Sequence, residues 1–268
     1  MLKKIVIILL LWSFCVEASE YSFVTYNVWF DKSTSIQRVP KLLDIISKEN
    51  PDIVAFQEVE MWFVDDYLKH HSIIENYTIT MKKTLNSIEG GLIFLSKKTI
   101  KIEKYKYFKL FSNMGREALS MTLNLNGKKV SITNIHLESY LDDTQIRVKQ
   151  LKSIFSNITC ENSILLGDFN FGDGELENDI LAKRYTDVYK KLKKYKSGYT
   201  WNKEKSLLAK RNSFADEKSR RLDKIYIKGK NLTPTGIKII GTKPFMSDVY
   251  GELFPSDHFG LLGKILVR

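Results

Sequence analysis

A chain of 268 residues that is 43% hydrophobic and 12% aromatic carries enough apolar material for a sizeable core. It has no low-complexity stretch, no repeat period and no Pro- or Gly-rich linker, which excludes a repeat protein or two tethered domains and leaves one domain. The formal net charge of +11 suits a polyanionic partner, nucleic acid or an anionic membrane surface, but a lysine-rich solubilising surface would carry the same charge.

The chain opens with a positive segment, Met1-Leu2-Lys3-Lys4, then ten mostly apolar residues from Ile5 to Phe14, then Val16-Glu17-Ala18 with small residues where a signal peptidase reads. That is the form of a secretory signal peptide over residues 1–18. It leaves 19–268 as the domain and predicts export to a periplasm or beyond. A membrane helix needs roughly twenty apolar residues, so no stable membrane anchor is expected after cleavage. Cleavage would remove Cys15 and leave Cys160 alone, so the domain must be held by its core and not by a disulfide.

Tyr21–Phe30 is rich in aromatic and β-branched residues and predicts a strand. Val39, Leu42, Leu43 and Ile46 recur at helical spacing over 36–49, with Pro40 tolerable in a first turn. Strands follow at Asp52–Val59 and Gly91–Ser96, then a hairpin over 118–137 around Asn126-Gly127. Residues 143–158 carry a helical stripe of Leu151, Ile154, Phe155 and Ile158. Ser163–Asn170, Arg221–Lys228 and Phe259–Val267 complete the strands. Hairpins mixed with strand-helix units point to mixed sheets with helices outside them.

Six of these strand segments run from apolar residues into polar ones. Asn27 follows the phase of Phe23, Glu58 ends "DIVAFQE", and His136 lies in phase with Val130, Ile132 and Asn134. Asp168 and Asn170 continue the row of Ile164 and Leu166, Asp223 sits in "RRLDKIYI", and Asp257-His258 precedes the last strand. A polar strand end is usually a turn former or a cap. Six in one chain, all oxygen or imidazole and none sulfur, predict a shared pocket whose hard-oxygen chemistry suits Mg²⁺, with Mn²⁺ as a substitute. With four histidines in all, a His₃ or Cys-based zinc site is not supported.

In this order and spacing, "TYNVWF", "FQEVE", "NIHLES", "LGDFN", "RRLDKIYI" and "PSDHFGLL" resemble the endonuclease/exonuclease/phosphatase superfamily over residues 21–268. Within it, His136-Leu137-Glu138-Ser139, Tyr199-Thr200-Trp201 and the tail Gly251–Leu262 look like the tyrosyl-DNA phosphodiesterase branch. The resemblance implies an α+β fold, a four-layer αββα sandwich with two mixed β-sheets. It implies Glu58 as main metal ligand with Asn27 and Asp257 near the metal. It also implies Asp168 on the attacking water, Asn170 donating to phosphate, His258 on a phosphoryl oxygen with Asp223 behind it, and His136 with Ser139 as a second phosphate-contacting pair. Arg116 is expected to steady a phosphate, and Trp201 with Tyr199 to offer a stacking surface or to be core aromatics. One departure stands out: that branch carries a basic residue in a Leu-Arg-Asp sequence where Asn170 is followed here by Phe171-Gly172-Asp173.

The function expected is an exported, monomeric, Mg²⁺-dependent phosphodiesterase acting on nucleic acid or another phosphodiester, with a 5′-phosphotyrosyl end on DNA as one candidate. A secreted nuclease and a sphingomyelinase-like lipid phosphodiesterase remain open, although no long apolar hairpin for membrane insertion is evident. A non-catalytic nucleic-acid-binding module is the third reading, and retention of Glu58, Asp168, Asn170, Asp223 and His258 together argues against it.

Overall fold

The computed structural model describes residues 18–194, 196–248 and 251–268, so the expected leader, apart from Ala18, lies outside the described residues. The first half of the chain forms β1 (Ser19–Asn27), α1 (Ser35–Glu49), β2 (Ile53–Gln57), β3 (Tyr77–Thr80) and β4 (Ile93–Lys97). It continues through β5 (Ile102–Lys109), β6 (Glu117–Leu125), β7 (Lys128–His136) and α2 (Thr144–Asn157). Then come β8 (Asn162–Asp168), α3 (Leu176–Ala182), β9 (Thr186–Asp187), α4 (Val188–Lys193) and α5 (Leu207–Asn212). The chain closes with β10 (Asp223–Lys228), β11 (Leu232–Ile240), β12 (Met246–Asp248), β13 (Gly251–Leu253) and β14 (Gly260–Val267).

Two six-stranded sheets form, in the orders β11-β14-β1-β2-β4-β3 and β5-β6-β7-β8-β10-β9. Each has one parallel pair, β1/β2 and β7/β8, and is otherwise antiparallel. The parallel pairs are joined through α1 and α2, because a parallel connection needs a crossover long enough to hold a helix. The layers follow from strand alternation. Phe23, Ile53, Ala55 and Phe94 face Met121, Ile132, Ile164, Leu166 and Ile225 in a core between the sheets. Their neighbours Val24, Tyr26, Val54 and Phe56 pack outward on Val39, Leu42, Leu43 and Ile46 of α1. On the second sheet Ile135, Leu165 and Phe169 pack on Leu151 and Ile154 of α2. This is an α+β, four-layer αββα sandwich with two mixed sheets.

The structure departs from the expected elements at particular places. The first strand ends at Asn27, not Phe30, and the eighth at Asp168, not Asn170, because Trp29 and Asn170 take left-handed backbone angles (φ 59° and 55°) that turn the chain out of the sheet. The sequence reading lacked β3, β5, β9, β11, β12 and β13. β5 is an exposed, lysine-bearing edge, and β11 is an edge strand with a register shift between Pro234 and Gly236, so neither shows clean alternation. The helix begins at Ser35, which places Pro40 past the first turn, where it forgoes the backbone bond to Ile36. Asn50 ends α1 in the left-handed conformation, its N–H bonded to the Ile46 carbonyl, just before Pro51.

Gly167 is required by the approach of β7 to β8. Its φ is +144°, and a Cβ there would overlap the Ile135 carbonyl oxygen. Gly167→Ala is therefore expected to lower stability by about 3 kcal/mol or more in urea titration. A wild-type unfolding midpoint would show that the two strands do not approach this closely.

Candidate active site

Strand register builds one half of the site. His136 on β7 lies opposite Asp168 on β8, and Asp168 lies opposite Asp223 on β10, so three polar side chains stand abreast where β7 and β8 end and β10 begins. Alternation turns Asp168 toward the space between the sheets, in the row of Ile164 and Leu166. The other half comes from the facing sheet, where Asn27 ends β1 beside Gln57 of β2 and Glu58 follows directly. Glu58 has φ 59°, and its N–H is held by the Gly90 carbonyl at 2.8 Å, while Val59 bonds Gly91 at 3.0 Å. A Cβ on Gly91 would strike the Val59 nitrogen, so this turn depends on glycine. Among the described residues, three of the six non-glycine residues with positive φ are Trp29, Glu58 and Asn170, and all three line one cavity of about 370 Å³. Such strain persists only where the surroundings impose it.

Asn27 links the two halves. Its side-chain amide donates to Glu58 Oε1 at 3.0 Å and to Asp168 Oδ2 at 3.1 Å, while its own oxygen accepts the N–H of Trp29. Glu58 Oε2 accepts the N–H of Phe30 at 3.2 Å. Burial, then the charge of Asp257, pushes the Glu58 carboxyl up to about 7. Asp257 lines the same cavity, accepting from Asn212 at 2.8 Å and from Ser256 at 3.1 Å.

The two histidines beside Asp168 differ in charge. His258 Nδ1 is 2.8 Å from Asp223 Oδ2, and its Nε2 is 3.6 Å from Asp168 Oδ2. Burial opposes the imidazolium, but the Asp223 and Asp168 carboxylates outweigh it and hold His258 protonated well above its usual range. His136 Nε2 is 3.6 Å from Asp168 Oδ2 and 3.8 Å from Glu58 Oε1, and its Nδ1 accepts from Arg116 at 3.3 Å. Burial and the Arg116 charge push it down to about 3, so it is neutral, with its proton on Nε2 toward the carboxylates. Asp168 stays ionised below the usual carboxylate range: burial raises its pKa, while His258, His136 and the N–H groups of Asn27 and Asn170 lower it further.

Every site residue expected from sequence falls in this cluster: Asn27, Glu58, Arg116, His136, Ser139, Asp168, Asn170, Trp201, Asp223, Asp257 and His258. Several surroundings differ from expectation. Arg116 is buried, donating to the carbonyls of Ser87 and Ile88 and to Ser139 Oγ, so it fixes His136 and Ser139 from behind. The Asn170 amide is engaged by the Leu137 carbonyl at 3.0 Å and more loosely by Ser139 at 3.4 Å. Trp201 is buried with its ring centroid 4.8 Å from that of His258 and its Nε1 bonded to Ser213, while Tyr199 lines a different cavity.

Two residues escaped the sequence reading. Arg38, fully buried on α1, donates to the carbonyls of Val28, Trp29, Asp31 and Pro255, which ties the loop after Asn27 to the loop before Asp257 and His258. An arginine on the buried stripe of an amphipathic helix was the available signal. Asn212, on the short α5, had none.

Asp168, Asp223 and His258 come close enough to surround an ion. His258 carries a proton and its Nδ1 is taken by Asp223, so its imidazole has no lone pair to offer a cation. Glu58 and Asp257 fit better. They are two carboxylates lining one cavity, and the proton Glu58 retains up to about 7 marks uncompensated negative charge that a divalent cation would relieve.

The sequence matches the Endonuclease/Exonuclease/phosphatase family over residues 24–258, and the chain belongs to that family. Its members are metal-dependent phosphodiesterases, and this chain is such a hydrolase. Tyrosyl-DNA phosphodiesterase 2 of Gallus gallus is 27% identical over 263 residues, covering 91% of this chain and 66% of that protein. The Homo sapiens protein of that name is 26% identical over 259 residues, covering 91% and 67%. The chain thus spans about two thirds of the length of these relatives. A crystal structure of Danio rerio TDP2 complexed with single strand DNA product superposes with a TM-score of 0.78 at 25% identity, covering 92% of this chain and 99% of that one. A Bacteroides thetaiotaomicron protein of the family shares the fold, with a TM-score of 0.72 at 18% identity and coverage of 94% and 99%. The expectation of an exported protein is corrected by the tyrosyl-DNA phosphodiesterase 2 relatives, vertebrate proteins named for a linkage to DNA and not for secretion.

The raised Glu58 carboxyl has a measurable consequence. Between about 4.5 and about 7 the folded, metal-free protein keeps a proton that the unfolded chain has lost, so its stability falls as pH rises through that window. Glu58→Gln removes this slope and is expected to make the metal-free protein more stable at pH 8, by on the order of 1 kcal/mol or more. It should also abolish thermal stabilisation by divalent cations. Parallel pH–stability curves for the two proteins would refute the assignment.

Proposed function

We propose that this chain is a Mg²⁺-dependent phosphodiesterase that cleaves phosphodiesters with an aryl leaving group, of the 5′-phosphotyrosyl-DNA kind. The observation that carries it is the ionised Asp168 held between a charged His258 and a neutral His136, opposite the carboxylate pair Glu58 and Asp257. Separately tuned titratable groups around one acceptor are what acid–base chemistry at a phosphate requires. The relatives' names and the structure with a DNA product support a nucleic-acid substrate.

Glu58 and Asp257 would hold the cation, whose charge draws electron density from the phosphoryl oxygens. Asn27 fixes the Glu58 carboxylate and keeps it apart from Asp168. Asp168 orients the attacking water and accepts its proton as charge moves to phosphorus. The Nε2 proton of His258 meets a phosphoryl oxygen, where its charge stabilises the transition state. Asp223 is a positioning residue: bonded to Nδ1, it holds the imidazole in that orientation and charge state. His136 Nε2–H and the Ser139 hydroxyl, both fixed by Arg116, donate to a second oxygen.

A tyrosyl leaving group has a pKa of about 10, far below that of a sugar alkoxide, so it departs with little acid assistance. An aryl phosphodiester or a 5′-phosphotyrosyl oligonucleotide is therefore expected to react faster than an internal DNA linkage, and only with Mg²⁺ or Mn²⁺ present. Nicking of closed circular DNA without aryl phosphodiesterase activity would overturn the reading in favour of a nuclease, and release of phosphocholine from sphingomyelin in favour of a lipid enzyme.

The His258–Asp223 pair predicts a pH profile. Activity that needs protonated His258 falls as pH rises through its pKa, and Asp223 raises that pKa. Asp223→Asn should move the alkaline fall to lower pH and cost roughly 10²-fold in kcat at neutral pH. An unchanged profile would show that His258 does not act as a cation.

A further inference from the structure

The outer face of the second sheet changes character along β6 and β7. Ala118 and Ile135 pack beneath α2, but where α2 ends at Asn157 the same face carries Ser120, Thr122, Ser131 and Thr133. These are cross-strand partners, Ser120 opposite Thr133 and Thr122 opposite Ser131. Thr133 donates to Ser120 at 3.0 Å, and the hydroxyls of Ser120 and Ser131 are 3.2 Å apart. Thr122 is 7% exposed, and its hydroxyl has no partner among the described residues. Thr122 lines an open cavity that α2 does not cover, so its hydroxyl is free to bond a ligand there.

Ser120, Thr122 and Ser131 floor a cavity of about 190 Å³, rimmed by Lys104 and Lys129 and bordered by Cys160. No aspartate or glutamate lines it, and neither lysine is ion-paired among the described residues. Lys106 also borders it, but its ammonium is engaged by Asn157. Hydroxyl donors below, two free ammonium groups above and no carboxylate make a cradle for oxygen-rich negative charge.

We propose that this cavity binds a small tetrahedral oxyanion, inorganic phosphate or a phosphate monoester. Ser131 precedes His136 by five positions on β7 and projects to the opposite face, roughly 17 Å along the strand. An anion here is therefore separate from the reacting phosphate, and the proposal stands independently of the reaction at Asp168.

Cys160, half-buried at the cavity edge, is the local reporter. Its alkylation by iodoacetamide is followed by peptide mass spectrometry in the metal-free protein, in phosphate and in chloride at matched ionic strength. Phosphate should slow Cys160 about threefold or more, through occlusion of the thiol. Protection should vanish in Thr122→Val with Lys104→Ala and Lys129→Ala, and persist in Thr122→Ser, which keeps the donor, and in Asp168→Asn. Protection by phosphate and glycerol phosphate, but not by an oligonucleotide lacking a terminal phosphate, supports the small-anion site. Equal rates with and without phosphate, full protection in the triple variant, or protection by the oligonucleotide alone would overturn it.

Discussion

The side-chain amide of Asn27 donates at once to Glu58 on its own sheet and to Asp168 on the facing sheet. Sheets packed face to face stand about 10 Å apart, so a site made from both needs a group that spans the gap at one rim. Two buried carboxylates brought together there would repel, and one amide offering a proton to each makes the approach tolerable. Gln57 and Asn134 form a second polar bridge deeper between the sheets, bonded at 2.7 Å, with Asn134 also donating to the carbonyls of Phe56 and Ile93. These amide contacts are polar links in a core otherwise closed by aliphatic and aromatic packing, and they set how the two sheets are aligned. Everything at the rim inherits that alignment.

Electrostatics then divide the labour. His258 and His136 flank the same Asp168, yet one is charged and the other neutral, because Asp223 backs the first and Arg116 the second. The arrangement makes both imidazoles hydrogen-bond donors toward the cavity, at different strengths. Arg38 contributes from a distance, since the carbonyls it gathers belong to the two loops that carry Trp29 and Asp257.

The departure after Asn170 acquires a structural meaning. Phe171 packs into the core under α2, and Asp173 pairs with the buried Arg221 at 2.6 Å and with Lys224 at 3.3 Å. A segment where the resemblance led us to expect a basic residue is here committed to an internal charge cluster. The polar strand ends meet at the cavity while the neighbouring loop serves the fold.

Local sequence determined a good deal of this. Alternation put Ile164, Leu166 and Asp168 on one face, and the helical spacing of Val39, Leu42, Leu43 and Ile46 identified the stripe that covers the first sheet, because these periods follow from backbone geometry alone. The polar strand ends marked candidate residues for the same reason: a carboxylate in phase with core residues needs a partner wherever the strand lies. Short edge strands with lysines, bulges or two-residue pairings left no such period, so β5, β9 and β11 went unread. Only the tertiary structure decided which strand ends meet, that Arg116 stands behind His136 instead of facing a ligand, that Trp201 packs against His258, and that Arg38 and Asn212 belong to the site. It alone also set the charge of each imidazole, since a pKa is fixed by burial and by neighbours brought in from other strands, and no local pattern encodes either.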